Sequence, residues 1–339
     1  MDARDKPGHD DLYAWEAMHS IFRAAALLLA LLAISIAHAD SWPTRPVRLI
    51  VTQGAGGTPD LIARMLGVRL TRALGQQIVV ENRPGGGNTI GAQAAARAAP
   101  DGYTFLFATS AALVTNPYTF KTLPYDPIKD FVPVGMVARG PFLVLAHPSV
   151  PVKDLPGLFV YAKQNPGKLT FATDGPKNFS GILAAWIDKL GGVDIVQASY
   201  AKMPQGVQDV LAGRVQLVVL AVPSAAPFIA DGRLRPLAVS SLARLDNYPD
   251  VPPIADNFPG VEMIGWFAIV APAGTPADIV DRMNGELDKI LKDPQVAHAL
   301  AVVGFFTEGA GTPASTRDFV RAQYDLWGKV TRDIGLKPE

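Results

Sequence analysis

Residues 47–74 read VRLIVTQGAGGTPDLIARMLGVRLTRAL, and this stretch decides the fold class. Its first six residues are typical of a β-strand, and they stop at a glycine-bearing loop, residues 53–57. Apolar residues then recur at the spacing of a buried amphipathic helix, with Thr58 as its cap, Pro59 in its first turn and Gly75 at its end. The sequence therefore predicts a strand, a tight loop and a helix.

The same order of strand, loop and helix recurs along most of the chain. Glycine-bearing loops also follow predicted strands at residues 84–88 and 174–178. Strands that alternate with helices of this length predict parallel sheets with right-handed crossovers. Two long apolar segments, 131–147 and 261–271, interrupt this alternation, and we interpret both as strands that cross between two lobes.

The two crossings set the predicted domain boundaries. The first lobe is expected to contain residues 40–138 and 260–339, and the second residues 139–259. Two crossings make a hinge with a cleft between the lobes. The predicted fold class is thus α/β, with two doubly wound α/β lobes joined by two crossover strands.

Residues 1–39 have the features of an N-terminal extension and a secretory signal peptide. The apolar run 24–36 is shorter than the roughly 20 residues that a membrane-spanning helix needs. It ends in Ala37-His38-Ala39, which places small residues where a signal peptidase cuts, so we expect cleavage after Ala39. A buried core helix is the alternative. Because residues 1–17 are acidic, translation could start at Met18 instead of Met1.

The composition excludes several classes of function. Lys and Arg number 31 against 31 Asp and Glu, which removes the electrostatic case for a nucleic-acid partner. The chain has no cysteine, so it has no thiolate metal site and no cysteine nucleophile. After residue 39 the histidines are His147 and His298, which give no local metal motif and little material for a Ser-His-Asp triad. We therefore predict no catalytic residue, no metal and no cofactor.

The three glycine-bearing loops are the candidate binding elements. Each lies between a strand and a helix, at the end of the sheet where ligands bind, and each presents unpaired N–H groups at a helix start. One such loop could be only a tight turn, but three loops in two lobes favour a shared anionic ligand. A dinucleotide is disfavoured because Pro59 stands where the third glycine of G-x-G-x-x-G belongs.

Six further motifs are distributed over the whole chain after Trp42. They are VENRPG at 80–85, APDGYT at 99–104, LPYDP at 123–127, DFVPV at 130–134, AKQNPGKL at 162–169 and APAGTP at 271–276. With these motifs the chain resembles the periplasmic substrate-binding proteins of tripartite tricarboxylate transporters, known as Bug or TctC-type proteins. The resemblance implies a type II periplasmic binding protein fold, a periplasmic location and a small organic carboxylate ligand. It also implies delivery of that ligand to the membrane subunits of the transporter.

The resemblance implies a set of ligand-binding positions in both lobes. They are Gln53, Ala55, Gly56, Gly57, Thr109, Ser110, Asn116, Thr173, Asp174, Asn178, Phe179, Ser180, Tyr200, Leu220 and Ala221. Leu113 stands in a ligand-facing loop where a histidine is common, and Leu220 and Ala221 stand where Asp and Asn are usual. Because those polar groups would bind an amino group or an uncharged polar end, their loss favours an aromatic or medium-chain carboxylate over an amino acid or citrate.

Other prominent residues are given structural roles. Trp186, Trp266 and Trp327 lie in apolar periodic contexts that predict core positions, and Asp60 suits the start of a helix. Lys202 is a candidate cation for the cleft. The sequence thus favours a monomeric, non-catalytic receptor for one small carboxylate. Two alternatives stay open: a ligand-sensing receptor for a signalling system, and a secreted hydrolase, which the missing G-x-S-x-G motif disfavours.

Overall fold

Two five-stranded sheets organise the protein, whose computed structural model describes residues 42–200 and 203–338. The strands are β1 (Val47–Val51), β2 (Ile78–Asn82), β3 (Thr104–Thr109), β4 (Phe131–Gly140), β5 (Phe142–Ala146), β6 (Thr170–Thr173), β7 (Val196–Ser199), β8 (Leu217–Ala221), β9 (Arg235–Val239) and β10 (Gly265–Pro272). The predicted signal peptide, its cleavage after Ala39 and the candidate cation Lys202 lie outside the described residues.

Helices fill most of the connections between these strands. They are α1 (Thr58–Leu74), α2 (Thr89–Ala96), α3 (Asn116–Thr119), α4 (Leu155–Gln164), α5 (Phe179–Gly191), α6 (Met203–Leu211), α7 (Val222–Ala230), α8 (Ala277–Leu291), α9 (Pro294–Val302) and α10 (Pro313–Asp333). A π-helical turn (Ala111–Thr115) precedes α3, and short 3₁₀ turns occupy Gly86–Asn88 and Ile254–Asp256. Among the described residues, no helix is both long enough and apolar enough to cross a bilayer.

The two sheets share one topology. Their strand orders are β2-β1-β3-β10-β4 and β7-β6-β8-β5-β9. In the first sheet β1 pairs in parallel with β2 and β3, whereas β10 is antiparallel to both β3 and β4. In the second, β6 pairs in parallel with β7 and β8, whereas β5 is antiparallel to β8 and β9. The prediction of parallel sheets is confirmed for β1, β2 and β3 and for β6, β7 and β8. It was wrong for β10 and β5, which enter their sheets from the other lobe and run antiparallel to their neighbours. The predicted fold class of two α/β lobes is confirmed.

The two crossover segments differ in regularity. The apolar segment from Phe131 leaves the first sheet at Gly140 and enters the second at Phe142, as predicted. The second apolar segment forms a strand only from Gly265 onward. Before it, residues 261–264 are irregular, and Met263 donates its N–H to Ser240 O at 3.0 Å. An apolar run predicts burial, which these residues show, but it does not by itself predict strand pairing.

The predicted core tryptophans are confirmed. Trp186, Trp266 and Trp327 are at most 2% exposed, each among buried apolar side chains. The cap of α1 differs from the prediction, because Gly57 occupies the N-cap position and Thr58 is the first helical residue. Pro59 in the first turn and left-handed Gly75 at the C-cap match the pattern that predicted this helix.

Asp188, near the end of α5, makes the stability of the fold pH-dependent. Burial, reinforced by the charge of Asp194, raises the pKa of Asp188 from 3.8 to about 7, although the N–H of Ile195 donates to its Oδ2. The folded state therefore binds more protons than the unfolded state between these values. Because of this difference, stability falls as the pH rises through that window.

We expect Asp188→Asn to be more stable than the parent protein at pH 8, by about 1–2 kcal/mol after allowing for solvent screening of this partly exposed group. At pH 3, below both values, position 188 is neutral in the folded and unfolded states of both proteins, so the two proteins should unfold at the same denaturant concentration. Urea unfolding at the two pH values measures this. Asp325→Asn, at an exposed position on α10, serves as the control. An advantage independent of pH would contradict the prediction.

Candidate functional site

A cavity of about 270 Å³ lies where connections from both sheets meet, and we call it the inter-lobe cavity. Three elements surround it: the 3₁₀ turn after β2, the helical segment after β3, and the loop and first turn of α5 after β6. The lining residues are Gly87, Asn88, Ser110, Ala111, Thr115, Asn116, Thr119, Phe120, Lys177, Asn178 and Phe179. All three elements follow the carboxyl ends of strands, where ligands bind in open α/β sheets.

The wall contributed by the first sheet is held by side-chain hydrogen bonds. Asn116 donates its Nδ2 hydrogen to Gly87 O at 2.7 Å, and Thr52 donates its hydroxyl hydrogen to Asn88 Oδ1 at 2.9 Å. Gly87 has a φ of 60°, and a Cβ there would lie 2.9 Å from the ring of Phe120. These contacts join the loops after β1, β2 and β3 into one surface.

A π-helical turn shapes this wall, where the sequence predicted a loop. The buried Tyr125 donates its hydroxyl hydrogen to Ala112 O at 2.6 Å, and the N–H of Ala112 is 3.3 Å from Thr109 Oγ1. Burial raises the pKa of Tyr125 to about 12, so its hydroxyl stays a hydrogen-bond donor at physiological pH. Leu113, which stands where a histidine is common in the family, is buried and does not line the inter-lobe cavity.

The opposite wall is the start of α5. Within its loop, Asn178 donates its Nδ2 hydrogen to Asp174 O at 2.6 Å, and the N–H of Asp174 donates to Ser180 Oγ at 2.9 Å. Ser180 in turn donates its hydroxyl hydrogen to the carboxylate of Asp174. No acceptor for the N–H groups of residues 179–181 occurs in the described part of the chain. These N–H groups give the wall the positive character of a helix N-terminus.

Lys177 adds a formal positive charge to this wall. Its side chain lines the inter-lobe cavity, and its Nζ is buried. An ammonium group beside a helix N-terminus is suited to bind a carboxylate, because both contribute charge-assisted hydrogen bonds. The candidate cation predicted from the sequence was Lys202, and Lys177 was not predicted. One feature of the sequence could have pointed to Lys177 as a cavity residue. It lies two residues before the predicted start of a helix and directly after Gly175-Pro176.

The remaining side of the inter-lobe cavity is aromatic. Phe120 and Phe179 line it, and Phe179 stacks on Phe142 with a centroid separation of 4.1 Å. Behind Phe179 lies Trp327, at 5.8 Å between ring centroids. The cavity therefore combines one cationic, hydrogen-bonding side with one apolar side.

The structure brings some of the predicted ligand residues to this cavity and not others. Ser110, Asn116, Asn178 and Phe179 line it. The predicted residues outside its lining are Gln53, Ala55, Gly56, Gly57, Thr109, Thr173, Asp174, Ser180, Tyr200, Leu220 and Ala221. Thr109 and Thr173 are buried at strand ends, and Tyr200 donates its hydroxyl hydrogen to Asp209 at 2.7 Å. Their contact with a ligand stays a prediction.

The buried carboxylate of Asp60, which is 2% exposed, holds the first glycine-bearing loop, residues 53–57, in place. This carboxylate accepts hydrogen bonds from the N–H of Gly56 at 2.9 Å, from Asn82 at 2.9 Å and from Arg64 at 3.0 Å. Burial opposes ionisation of Asp60, but these hydrogen bonds outweigh it and hold its pKa below the usual 3.8. The N–H of Gly57 is directed at Gly54 O, at 3.4 Å. Two amides expected to face a ligand are thus directed at oxygens of the protein.

We expect Asp60→Ala to reduce the free energy of unfolding at pH 7 by about 1–3 kcal/mol, because it leaves buried donors unpaired. The loss should shrink as the pH falls below 3.8, because the unfolded parent chain then takes up a proton at Asp60 while the folded carboxylate, with its lowered pKa, stays ionised and the parent protein loses stability. Urea unfolding at pH 7 and pH 3 tests both statements. Asp256→Ala, which removes an exposed ion pair with Arg244, should change the stability by less than about 1 kcal/mol. Equal effects of the two substitutions would contradict the role given to Asp60.

The described residues bring together no three His, Asp or Glu side chains that could hold a metal ion. Two α/β lobes with a cavity between them define the protein as a member of the periplasmic binding protein class. The family model for the tripartite tricarboxylate transporter family receptor, TctC, matches residues 62–336. This chain belongs to that family, and the resemblance predicted from the sequence is confirmed.

Known proteins similar to this chain include one sequence relative and two solved structures. A UPF0065 protein of Bordetella bronchiseptica is 36% identical over 319 residues, which cover 93% of this chain and 94% of the relative. The structure of Rpa4515 of R. palustris with adipate has a TM-score of 0.73 at 33% identity, and the match covers 88% of this chain and 100% of that chain. MatC of Rhodopseudomonas palustris with bound malate has a TM-score of 0.68 at 28% identity, covering 85% and 99%.

Proposed function

We propose that this protein is a periplasmic receptor that captures a small carboxylate in the inter-lobe cavity and delivers it to the membrane subunits of a tripartite tricarboxylate-type transporter. On this proposal, residues 1–39 direct secretion and are removed after Ala39. Residues 40–138 with 260–339, and residues 139–259, form the lobes that close on the ligand. The observation that carries the proposal is the position of Lys177 beside the N-terminus of α5 in a cavity lined from both sheets.

The ligand class follows from the two sides of the inter-lobe cavity. The ammonium of Lys177 and the N–H groups of residues 179–181 suit one carboxylate. Phe120 and Phe179 suit an apolar body, and among the described residues no acidic side chain lines the cavity to hold an amino group. We therefore propose an aromatic or medium-chain carboxylate over an amino acid or citrate. The related structure with adipate, a six-carbon diacid, is in keeping with this class.

The energetics allow micromolar affinity. A dissociation constant of 1 μM corresponds to about 8 kcal/mol. Four or five charge-assisted hydrogen bonds at about 1.5–3 kcal/mol each reach that figure before the ordering of ligand and lobes is subtracted. Burial of the ligand's apolar body contributes about 25 cal/mol per Å² in addition. Closure is then a shift in population towards the state in which both lobes contact the ligand.

Isothermal titration calorimetry of residues 40–339 against adipate, benzoate, citrate and glutamate tests the proposal. We expect micromolar binding of adipate or benzoate at a stoichiometry near one, with citrate and glutamate at least about tenfold weaker. Tight glutamate or citrate binding without any response to adipate or benzoate would reject the ligand class. Hydrolysis of an ester of a bound acid, such as ethyl benzoate, to the free acid and ethanol would reject a non-catalytic receptor in favour of a hydrolase.

A further inference from the structure

A second cavity, of about 280 Å³, is lined by strands β4 and β10 of the first sheet and by helices α8 and α10, and we call it the rear cavity. Its floor includes Leu113, Phe131, Val270, Val280 and Val320, all buried apolar side chains. They come from the π-helical turn, β4, β10, α8 and α10 respectively. The rear cavity is about as large as the inter-lobe cavity and is partly open to solvent, so a small molecule can reach this apolar floor.

The mouth of the rear cavity carries an excess of positive charge. Arg317 and Arg321, one turn apart on α10, line it together with Asp281 of α8. Arg317 is 3.8 Å from its exposed neighbour Asp318, a weak surface pair. For Arg321 the described part of the chain provides no ion pair within 4.0 Å, not even with Asp281. A cationic rim above an apolar floor is complementary to a molecule with an anionic head and an apolar body.

The rear cavity and the inter-lobe cavity share the π-helical turn. Leu113 reaches the rear cavity, whereas Ala111 and Thr115 of the same turn line the inter-lobe cavity. A molecule packed against Leu113 would hold the turn in this conformation, and so favour the wall that the turn presents to the inter-lobe cavity. Occupancy of the two cavities would then be coupled, and the coupling would be reciprocal.

We propose that the rear cavity is a second binding site, for a small amphipathic monocarboxylate. Its apolar body packs on the floor formed by Phe131, Val270 and Val280, and its carboxylate binds Arg317 and Arg321 at the mouth. The site is separate from the inter-lobe cavity and does not depend on the function proposed for that cavity. It gives the receptor a means to bind a second carboxylate besides its transported ligand.

Octanoate is a suitable probe, because it has one carboxylate and an apolar chain. Isothermal titration calorimetry with residues 40–339 is expected to show octanoate binding that persists in Lys177→Met, a variant altered only in the inter-lobe cavity. In the Lys177→Met background, where the inter-lobe cavity lacks its cation, Arg321→Gln should weaken octanoate binding about tenfold, because it removes a charge-assisted hydrogen bond at an exposed position. Arg332→Gln removes the same charge from the same helix away from the rear cavity and should leave the affinity unchanged.

Three results would overturn the proposal. They are no octanoate binding by the parent protein at millimolar concentration, loss of binding in Lys177→Met but not in Arg321→Gln, and equal weakening by Arg321→Gln and Arg332→Gln. The second would show that octanoate occupies only the inter-lobe cavity. Val280→Phe, which fills the floor, is a further check and should abolish octanoate binding in protein whose thermal unfolding is still cooperative. Unchanged octanoate binding in such protein would also overturn the proposal.

Discussion

Replacing Lys177 by methionine is expected to lower the affinity for adipate by about 10- to 100-fold, since a charge-assisted hydrogen bond contributes about 1.5–3 kcal/mol. The substitution keeps a long unbranched side chain in the wall of the inter-lobe cavity but removes its cation. Adipate is the appropriate probe, because a structure related to this chain contains it. The measurement is calorimetric titration of parent and variant under the same conditions.

The effect should belong to this position and not to net charge in general. Lys168 lies just before strand β6, and Lys177 lies just after it. Because Lys168 is exposed and does not line the cavity, Lys168→Met provides a matched loss of charge. We expect this control to bind adipate as the parent protein does, apart from a small effect that salt screens. A similar loss in both variants would mean that the surface field attracts the ligand. No loss in Lys177→Met would place the carboxylate elsewhere.

The stability of the variant separates a binding effect from a folding effect. The melting temperatures of the parent protein and of Lys177→Met, followed by circular dichroism, measure the folding effect directly. Weaker binding by an equally stable protein would then identify Lys177 as a ligand contact. A less stable variant with weaker binding would instead indicate that Lys177 holds the loop before α5 in place.

Elements with strong local signals were predicted accurately from the sequence. Helix α1 follows the loop at residues 53–57 and ends at Gly75, as predicted, because its apolar periodicity agrees with Pro59 in the first turn and a left-handed glycine at the C-cap. The π-helical turn Ala111–Thr115 was not predicted. It depends on Tyr125, which lies outside the helical segment and donates a hydrogen bond to the carbonyl of Ala112. Local sequence propensity cannot predict a contact of this kind.

The sequence predicted which loops form the candidate site better than it predicted which side chains line it. The order of strands and helices placed Asn178 and Phe179 at a helix start near the cleft, and the structure has them in the cavity wall. Which groups remain available to a ligand depends on tertiary contacts. In the first loop, the amide of Gly56 donates a hydrogen bond to Asp60. In the second lobe, the hydroxyl of Tyr200 donates one to Asp209. Lys177 was missed because its direction is set by the packing of its loop on α5.

That packing depends on Gly181, in the first turn of α5. A Cβ built on Gly181 would overlap the carbonyl oxygen of Gly175 and lie 2.9 Å from Cα of Pro176. Both neighbours are backbone, so neither can rotate away as a side chain could. Gln197 also donates a hydrogen bond to Gly181 O at 3.1 Å, which ties this turn of the helix to β7. The loop before α5 can therefore lie in its observed position only if residue 181 lacks a side chain.

We expect Gly181→Ala to lower the free energy of unfolding by about 1–3 kcal/mol, the usual range for overpacking, and to weaken adipate binding because the displaced loop carries Lys177 and Asn178. The control is Gly285→Ala in the middle of α8, where a Cβ would meet nothing within 4 Å. Since alanine favours a helix interior over glycine, that substitution should raise the stability by about 0.5–1 kcal/mol and leave adipate binding unchanged. Urea unfolding of both variants thus tests whether the same change from glycine to alanine alters the stability in opposite directions at the two positions. Calorimetric titration tests whether only Gly181→Ala weakens adipate binding. If Gly181→Ala proved as stable as Gly285→Ala and bound adipate like the parent protein, close contact between the loop and α5 could not be what positions Lys177.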